Sequence, residues 1–228
     1  MSSDEQQQAF RGVLHDLRTW ENGPARFEAD DAPDEPLALF QRWFREAVAA
    51  GQVEPHAMTL ATVDGDGRPD VRTLLLHDAD ERGWHFASHA TSAKGRQLAA
   101  RPWAALGFYW PVQGRQIRVR GAVSAAGGEE SRADLAVRST GALAAALTGH
   151  QSEVLGSAEE LARASRAAWE RAQAEPDAQV PTWTRYVLDA DEVEFFQGDT
   201  ERRHIRLRYR RTDLAVPHGS WSRELLWP

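Results

Sequence analysis

No cysteine occurs among the 228 residues. That removes disulfide scaffolds, thiolate metal sites and cysteine nucleophiles, and it fits a reducing compartment. No apolar run approaches the ~18 residues that a membrane-spanning helix needs. The polar start MSSDEQQQ lacks the apolar core of a secretory leader, so a cytoplasmic protein is expected. The GxGxxG and Walker phosphate loops and the GxSxG nucleophile elbow are missing. His85 and His89 lie in a strand-like segment without a helical HExxH frame, and no metal site is expected there. Asp64 and Asp66 belong to a turn, because Leu75 stands where a calcium loop needs its last glutamate. A formal charge of −7 argues against a general nucleic-acid binder, whose affinity rests on neutralising phosphates.

What is present is ordinary in bulk. Hydrophobic residues make up 42% and charged residues 27%, as in a globular chain that buries its own core. Residues 1–33 read as a mobile N-terminal arm with one short helix over Gln7–Trp20, and residues 34–228 as a single domain. Asp34 as cap and Pro36 in the first turn open a helix along which Phe40, Trp43, Phe44, Ala47 and Val48 recur at helical spacing. The period then shortens to two. MTLATVDGDGRPDVRTLLLH reads as two strands around the hairpin signal Asp64-Gly65-Asp66-Gly67. GWHFAS, WAALGFYW and RQIRVRGAVSA follow as strands, with SAKGRQLAA as a short helix among them. Glu129–Thr148 reads as one alanine-rich helix. Ser157 and Glu160 form a capping box ahead of Leu161, Ala164, Ala168 and Trp169. The C-terminus returns to strand. Six to eight strands without βαβ alternation predict a mainly β protein with flanking helices, built as a closed antiparallel barrel.

One segment contradicts the acidic total. RRHIRLRYRR, Arg202–Arg211, sets six arginines and one histidine in ten residues. As a strand it places Arg203, Ile205, Leu207 and Tyr209 on a core face, and Arg202, His204, Arg206, Arg208 and Arg210 on the other. Such a face suits a small anion or an electron-rich ligand. It equally suits an exposed edge strand guarded by charge. Arg72 opens the apolar run RTLLLH, and Ser92 and Lys94 sit at a helix N-terminus, where free N–H groups favour an anion. From these residues alone the chain is a barrel with several cationic points, which names no function.

The order of the pieces is more specific. DEPLALFQRWFREAVAAG, EPHAMTLATVDGDGRPDVRTLLL, SAKGRQL, FYWPVQGRQIRVRG, VEFFQG and RRHIRLRYRR follow one another in a way that resembles the pyridoxamine 5′-phosphate oxidase family. The resemblance covers the chain from Glu35 to the final WP. It implies an FMN-binding split antiparallel β-barrel, and a homodimer with FMN in clefts between subunits. By the same resemblance Arg72 and Lys94 contact the FMN phosphate, with Ser88 where the family has threonine. The strand Arg72, Thr73, Leu74, Leu75 runs along the flavin. Gln116 lies near the ring, Gln151 and Ser152 match a Gln–Ser pair, and Arg206 faces the flavin. Phe196 replaces the usual flavin-side tryptophan. Arg202 and His204 match the arginine and histidine that meet the substrate and are the candidate catalytic pair.

The departures from the family pattern bear on the substrate. Where the vitamin B6 oxidases hold the substrate phosphate with a lysine, a tyrosine, an arginine and a serine, this chain has His77, Asp134, Arg138 and Ala142. Losing even two charge-assisted bonds at ~1.5–3 kcal/mol each would weaken phosphate binding roughly 100-fold. Ala93 replaces an FMN-phosphate arginine and Ala87 a tyrosine at the flavin. SHATSAKGRQL and GHQSEVL are similar to the phenazine-biosynthesis flavin oxidases, which act on reduced, carboxylated tricyclic rings. Three expectations follow from the resemblance. The first is an FMN- and O2-dependent oxidase with a small aromatic, carboxylated substrate, releasing hydrogen peroxide. The second is a pyridoxine/pyridoxamine 5′-phosphate oxidase making pyridoxal 5′-phosphate. The third is a non-catalytic ligand-binding split barrel.

Overall fold

Alternation of apolar and polar side chains puts most of the chain into strands. The computed structural model describes residues 3–17, 26–213 and 219–228. In chain order the elements are α1 (Ser3–Asp16), α2 (Pro36–Ala49), β1 (Ala57–Val63), β2 (Pro69–Leu75), β3 (Asp78–Asp80), β4 (Gly83–His89), α3 (Ala93–Ala100), β5 (Trp103–Trp110) and β6 (Arg115–Ala125). They continue with α4 (Gly128–Ala136), α5 (Thr140–Thr148), α6 (Ala158–Ala174), β7 (Trp183–Gln197), β8 (Ile205–Arg211) and β9 (Trp221–Leu225).

The strands pair antiparallel in the order β2-β1-β5-β6-β7-β4-β3, with β8 and β9 branching from β7. β7 makes the split. One edge pairs with β6 along almost its whole length. On the other edge residues 183–188 pair with β4, and residues 192–197 pair with β8. A register shift at Arg120/Gly121 bends β6 where the two halves diverge. There β6 passes so close to β7 that a Cβ on Gly121 would stand 1.9 Å from the Asp189 carbonyl oxygen. Among the described residues β2 and β3 end the row without pairing to each other. The barrel is therefore split, not closed as the alternation alone suggested.

One face of α2 fills this half-barrel. Leu39, Phe40, Trp43 and Ala47 are buried, and Phe40 meets Trp84 and Phe108 edge-on at 5.6 and 5.2 Å. Pro36 sits in the first turn as expected, but the cap residue is Glu35, without a side-chain cap bond. Asp34 instead lies 3.5 Å from Arg223, and Val48 faces solvent. The end of the arm joins the core. Phe27 packs edge-on against Trp43 at 5.0 Å, and the Tyr209 hydroxyl donates to the Pro33 carbonyl at 2.7 Å. The short helix expected over Gln7–Trp20 is α1, and residues 18–20 lie outside the described residues.

The alanine-rich segment is two helices, because Ser139 accepts from the Ala142 N–H at 3.3 Å and starts α5 afresh. At α6 the expected cap is present: Ser157 accepts from the Glu160 N–H at 3.1 Å, and the Glu160 carboxylate returns to the Gly156 N–H at 3.1 Å. Only Ala168 and Ala172 of α6 are buried, and Leu161 and Trp169 are half exposed. In the basic segment the strand begins only at Ile205. Arg202 has a left-handed backbone (φ 65°), and Arg203 is exposed beside Glu201, so neither belongs to the alternating faces.

Candidate active site

The N-terminus of α3 and the strands beside it form a cradle for an anion. Ser92 caps α3 by accepting from the Gly95 N–H at 3.2 Å. A Cβ on Gly95 would lie 2.3 Å from the Ala90 carbonyl oxygen and 2.5 Å from that of His89. Glycine thus lets the first turn of α3 close onto the end of β4. That closeness delivers Lys94, the chain's single lysine. Its ammonium, on a residue only 6% exposed, donates to Ser88 Oγ at 3.2 Å and to Gln151 Oε1 at 3.0 Å. Ser88 Oγ also donates to Gln151 Oε1 at 3.0 Å, and the Ala93 N–H donates to Ser152 Oγ at 3.1 Å. His150 and Ser152 both adopt left-handed backbone (φ 53° and 74°) to bring these groups in.

Arg72 reaches the same helix from β2. Its guanidinium donates to Thr62 Oγ1 at 2.5 Å, to Gln97 Oε1 at 3.1 Å and to the Asp70 carboxylate at 2.5 Å. Gln97 follows Lys94 by one helical turn, so both cations address one side of α3. Burial, and then the charge of Arg72, push the Lys94 ammonium below its ordinary value, against the opposing pull of Asp70. An added anion would relieve that cost. Two cations, a hydroxyl and helix N-terminal N–H groups fit a phosphate.

A second group lies across β6, β7 and β8. Register sets Gln116, Phe196 and Arg206 side by side in one row. The Phe196 ring lies 5.1 Å from the His204 ring, and His204 Nδ1 accepts from the Asp199 N–H at 3.0 Å. Arg206 donates to Glu194 at 2.8 Å and to the Trp227 carbonyl at 2.8 Å. Arg202 is exposed on the loop just before this row. The rows below are charge ladders: Arg118, Glu194 and Arg208 stand abreast, then Arg120, Glu192 and Arg210. Arg208 pairs with Glu224 at 2.7 Å, and Arg211 pairs with Asp189. Most of the basic segment is therefore neutralised by acids on β7 and β9.

A cavity of about 770 Å³ opens beyond the end of β2, lined by Leu75, Leu76, His77, Asp134, Arg138 and Arg185 among others. Thr73 and Leu75 of β2 face outward, and Leu74 packs toward the core. His77, Asp134 and Arg138, which the resemblance grouped, lie together in the cavity wall. Asp134, 7% exposed, accepts from Arg138 Nε and Nη2 at 3.0 and 2.9 Å and from Trp183 Nε1 at 3.0 Å. His77 Nδ1 lies 3.5 Å from the same carboxylate and also meets Arg138. Burial alone would raise the Asp134 pKa. The hydrogen bonds from His77, Arg138 and Trp183 overcome it and hold the carboxyl well below the usual carboxylate range. Asp134 is thus an anion that faces into the cavity wall and occupies Arg138. Sequence reasoning missed Arg185. The one available signal was an arginine interrupting the start of a strand whose neighbours Tyr186, Val187 and Leu188 are buried.

The model for pyridoxamine 5′-phosphate oxidase matches residues 44–172, and that for the pyridoxine 5′-phosphate oxidase C-terminal dimerisation region matches residues 183–228. A pyridoxine/pyridoxamine 5′-phosphate oxidase of Burkholderia multivorans is 45% identical over 216 residues, covering 95% of this chain and 99% of the relative. Its counterpart in Pseudomonas fluorescens is 46% identical over 200 residues, covering 86% and 90%. Among solved structures, PhzG from Burkholderia lata in complex with tetrahydrophenazine-1-carboxylic acid matches with a TM-score of 0.81 at 33% identity, covering 90% of this chain and 98% of that one. A pyridoxamine 5′-phosphate oxidase-related, FMN-binding protein of Nostoc punctiforme shares the fold, with a TM-score of 0.68 at 23% identity over 88% and 100% of the chains. The split barrel and the matched spans together make this chain a member of the pyridoxamine 5′-phosphate oxidase family.

Proposed function

We propose that the chain is an FMN-dependent oxidase of a small, reduced, carboxylated aromatic ring, acting as a homodimer. Arg72, Ser88, Lys94 and the α3 N-terminus, braced by Gln151 and Ser152, would hold the FMN phosphate. Thr73, Leu74 and Leu75 would run along the flavin, with Gln116, Phe196 and Arg206 at the ring. When bound, the flavin supplies a two-electron acceptor that O2 restores, with release of hydrogen peroxide. Arg202 would orient the substrate and steady developing charge. His204 accepts a backbone N–H on Nδ1, so a neutral ring carries its proton on Nε2, the nitrogen that would relay it. The cradle on β2 and the ring-side row on β6–β8 lie in different parts of the sheet. A cleft between two subunits would join them, in keeping with the matched dimerisation region.

One observation carries the choice of substrate: Asp134 is buried and accepts two hydrogen bonds from Arg138, which help hold its carboxyl in the charged form. A phosphate dianion entering the cavity would meet a fixed negative charge and an arginine already engaged. The ring carboxylate of the ligand in the PhzG complex is a smaller demand. The alternative, oxidation of pyridoxine or pyridoxamine 5′-phosphate, is favoured by the names of relatives that share about 45% of their residues with this chain. The test is hydrogen peroxide release in air by the FMN-loaded protein. Its candidate substrates are the two B6 phosphates and a chemically reduced phenazine-1-carboxylate. Turnover of the carboxylated ring and none of the phosphates is expected. Low-micromolar KM for either phosphate would overturn the proposal, and failure to retain FMN would leave a non-catalytic barrel.

A further inference from the structure

The cavity holds a second guanidinium, and what holds it differs from what holds Arg138. Arg185 lies opposite Ala87 in the β4–β7 register and reaches diagonally toward His85. Its Nε and Nη2 donate to His85 Nδ1 at 3.1 and 2.9 Å. His85 is wholly buried, and its Nε2 lies 2.7 Å from Asp80 Oδ1. A ring nitrogen that accepts from a guanidinium carries no proton. His85 is therefore the neutral tautomer, with its proton on Nε2 donated to Asp80. Burial would raise the Asp80 pKa, but the hydrogen bonds from His85 and the Arg82 N–H, with the nearby positive charge, together outweigh it and keep the carboxyl below its ordinary value. The chain Asp80–His85–Arg185 is thus fixed in direction at every link.

This arrangement orients a cation without setting a buried carboxylate against it. Arg138 has a buried carboxylate on two of its nitrogens. The acids near Arg185 are Asp78, which accepts a long hydrogen bond from Nη2 at 3.5 Å, and Glu130, which lies 3.7 Å from Nε, both on side chains open to solvent that screens their charge. Arg185 Nη1 makes no hydrogen bond among the described residues. Both arginines lining the cavity engage Nε and Nη2 and leave Nη1 open, but Arg138 spends its bonds on a buried carboxylate whereas Arg185 spends its short ones on a neutral ring. We infer that Arg185 anchors the carboxylate of the substrate, with His85 as its positioning residue. The inference rests on the proposed carboxylated-ring substrate and names the residue that recognises it.

The experiment is titration calorimetry of the full-length, FMN-loaded protein with phenazine-1-carboxylate and with unsubstituted phenazine, without turnover. The wild type should prefer the carboxylate by about 10- to 100-fold, the yield of one or two charge-assisted bonds. Arg185→Gln should erase that preference while leaving phenazine affinity unchanged, and Arg185→Lys should restore part of it. His85→Gln, which keeps an acceptor toward the guanidinium, should retain the preference, and His85→Leu should lose most of it. FMN content and melting midpoint of each variant separate lost recognition from lost folding. An Arg185→Gln protein with the wild-type preference overturns the inference and leaves the carboxylated-ring reading standing. So does one weakened equally toward both ligands, which marks a structural role. A wild type with no preference removes that reading and the anchor together.

Discussion

Replacing Asp134 by asparagine tests the electrostatic reading of the cavity directly. The amide keeps the size of the side chain and an acceptor for Trp183, but removes the charge that Arg138 contacts twice. Breaking a buried ion pair by deleting one partner costs about 3–5 kcal/mol. Arg138 keeps 20% of its side chain exposed toward an open cavity, so water recovers part of that, and about 2 kcal/mol is expected. For a chain of this length, that lowers the melting temperature by about 4–8 °C. The released guanidinium should then bind phosphate. One recovered charge-assisted bond is worth ~1.5–3 kcal/mol, so affinity for pyridoxal 5′-phosphate should rise by about 10-fold or more.

The pH dependence has a definite sign. Asp134 is held below its unfolded value near ~3.9. Its contribution is complete above about pH 4 and is lost as pH falls toward the folded pKa. Melting curves of wild type and Asp134→Asn should therefore differ fully at pH 7 and converge progressively below about pH 4. Fluorescence titration with pyridoxal 5′-phosphate at pH 7 gives the affinity. An asparagine variant that melts like the wild type, or binds the phosphate no better, would refute the assignment of Asp134 as an ionised partner that silences Arg138.

Gly95→Ala places a methyl 2.3 Å from a backbone oxygen, so α3 must retreat from β4. The variant should fold with reduced stability and show a several-fold weaker FMN affinity by equilibrium dialysis, whereas unchanged affinity would mean the cradle tolerates the shift. Because Lys94 is the only lysine, amine-reactive labelling followed by mass spectrometry should modify it and the N-terminus alone. FMN should protect Lys94 selectively, and equal labelling with and without FMN would remove it from the cradle. Glu194→Gln leaves Arg118 and Arg206 without their shared buried carboxylate and should cost about 1–3 kcal/mol, read as a lower urea midpoint at pH 7. No change in that midpoint would show that the ladder contributes little.

The elements with strict periodicity were legible in the sequence. The hairpin around Asp64 to Gly67, the strand pair β5–β6 and the caps of α3 and α6 each carry their own local signal. The misses have physical causes. β3 has three residues, too few to display a period. Ser139 starts a new helix inside an alanine-rich run whose composition favours helix on both sides. Phe27 is buried by contact with Trp43, a tertiary event that no local pattern announces. Arg202 and Arg203 extend the alternation of the basic strand on paper, but a left-handed backbone at Arg202 ends it.

The candidate site was legible where chemistry and local structure coincide, as with Lys94 at a helix N-terminus, and illegible where local charge depends on who neutralises whom. RRHIRLRYRR looks like an anion-binding face until Glu192, Glu194, Glu224 and Asp189 are seen opposite it. These acids lie on other strands, so their pairing is set by register, which composition does not encode. The same logic separates the two arginines of the cavity. Arg138 faces an ionised carboxylate and spends its charge inside the wall. Arg185 faces a neutral imidazole, which fixes its direction, and its only acids within ion-pair range among the described residues are the solvated Asp78 and Glu130. Two identical side chains thus acquire different surroundings from their partners, and on the proposed reading the choice of substrate turns on an aspartate and a histidine that need not touch it.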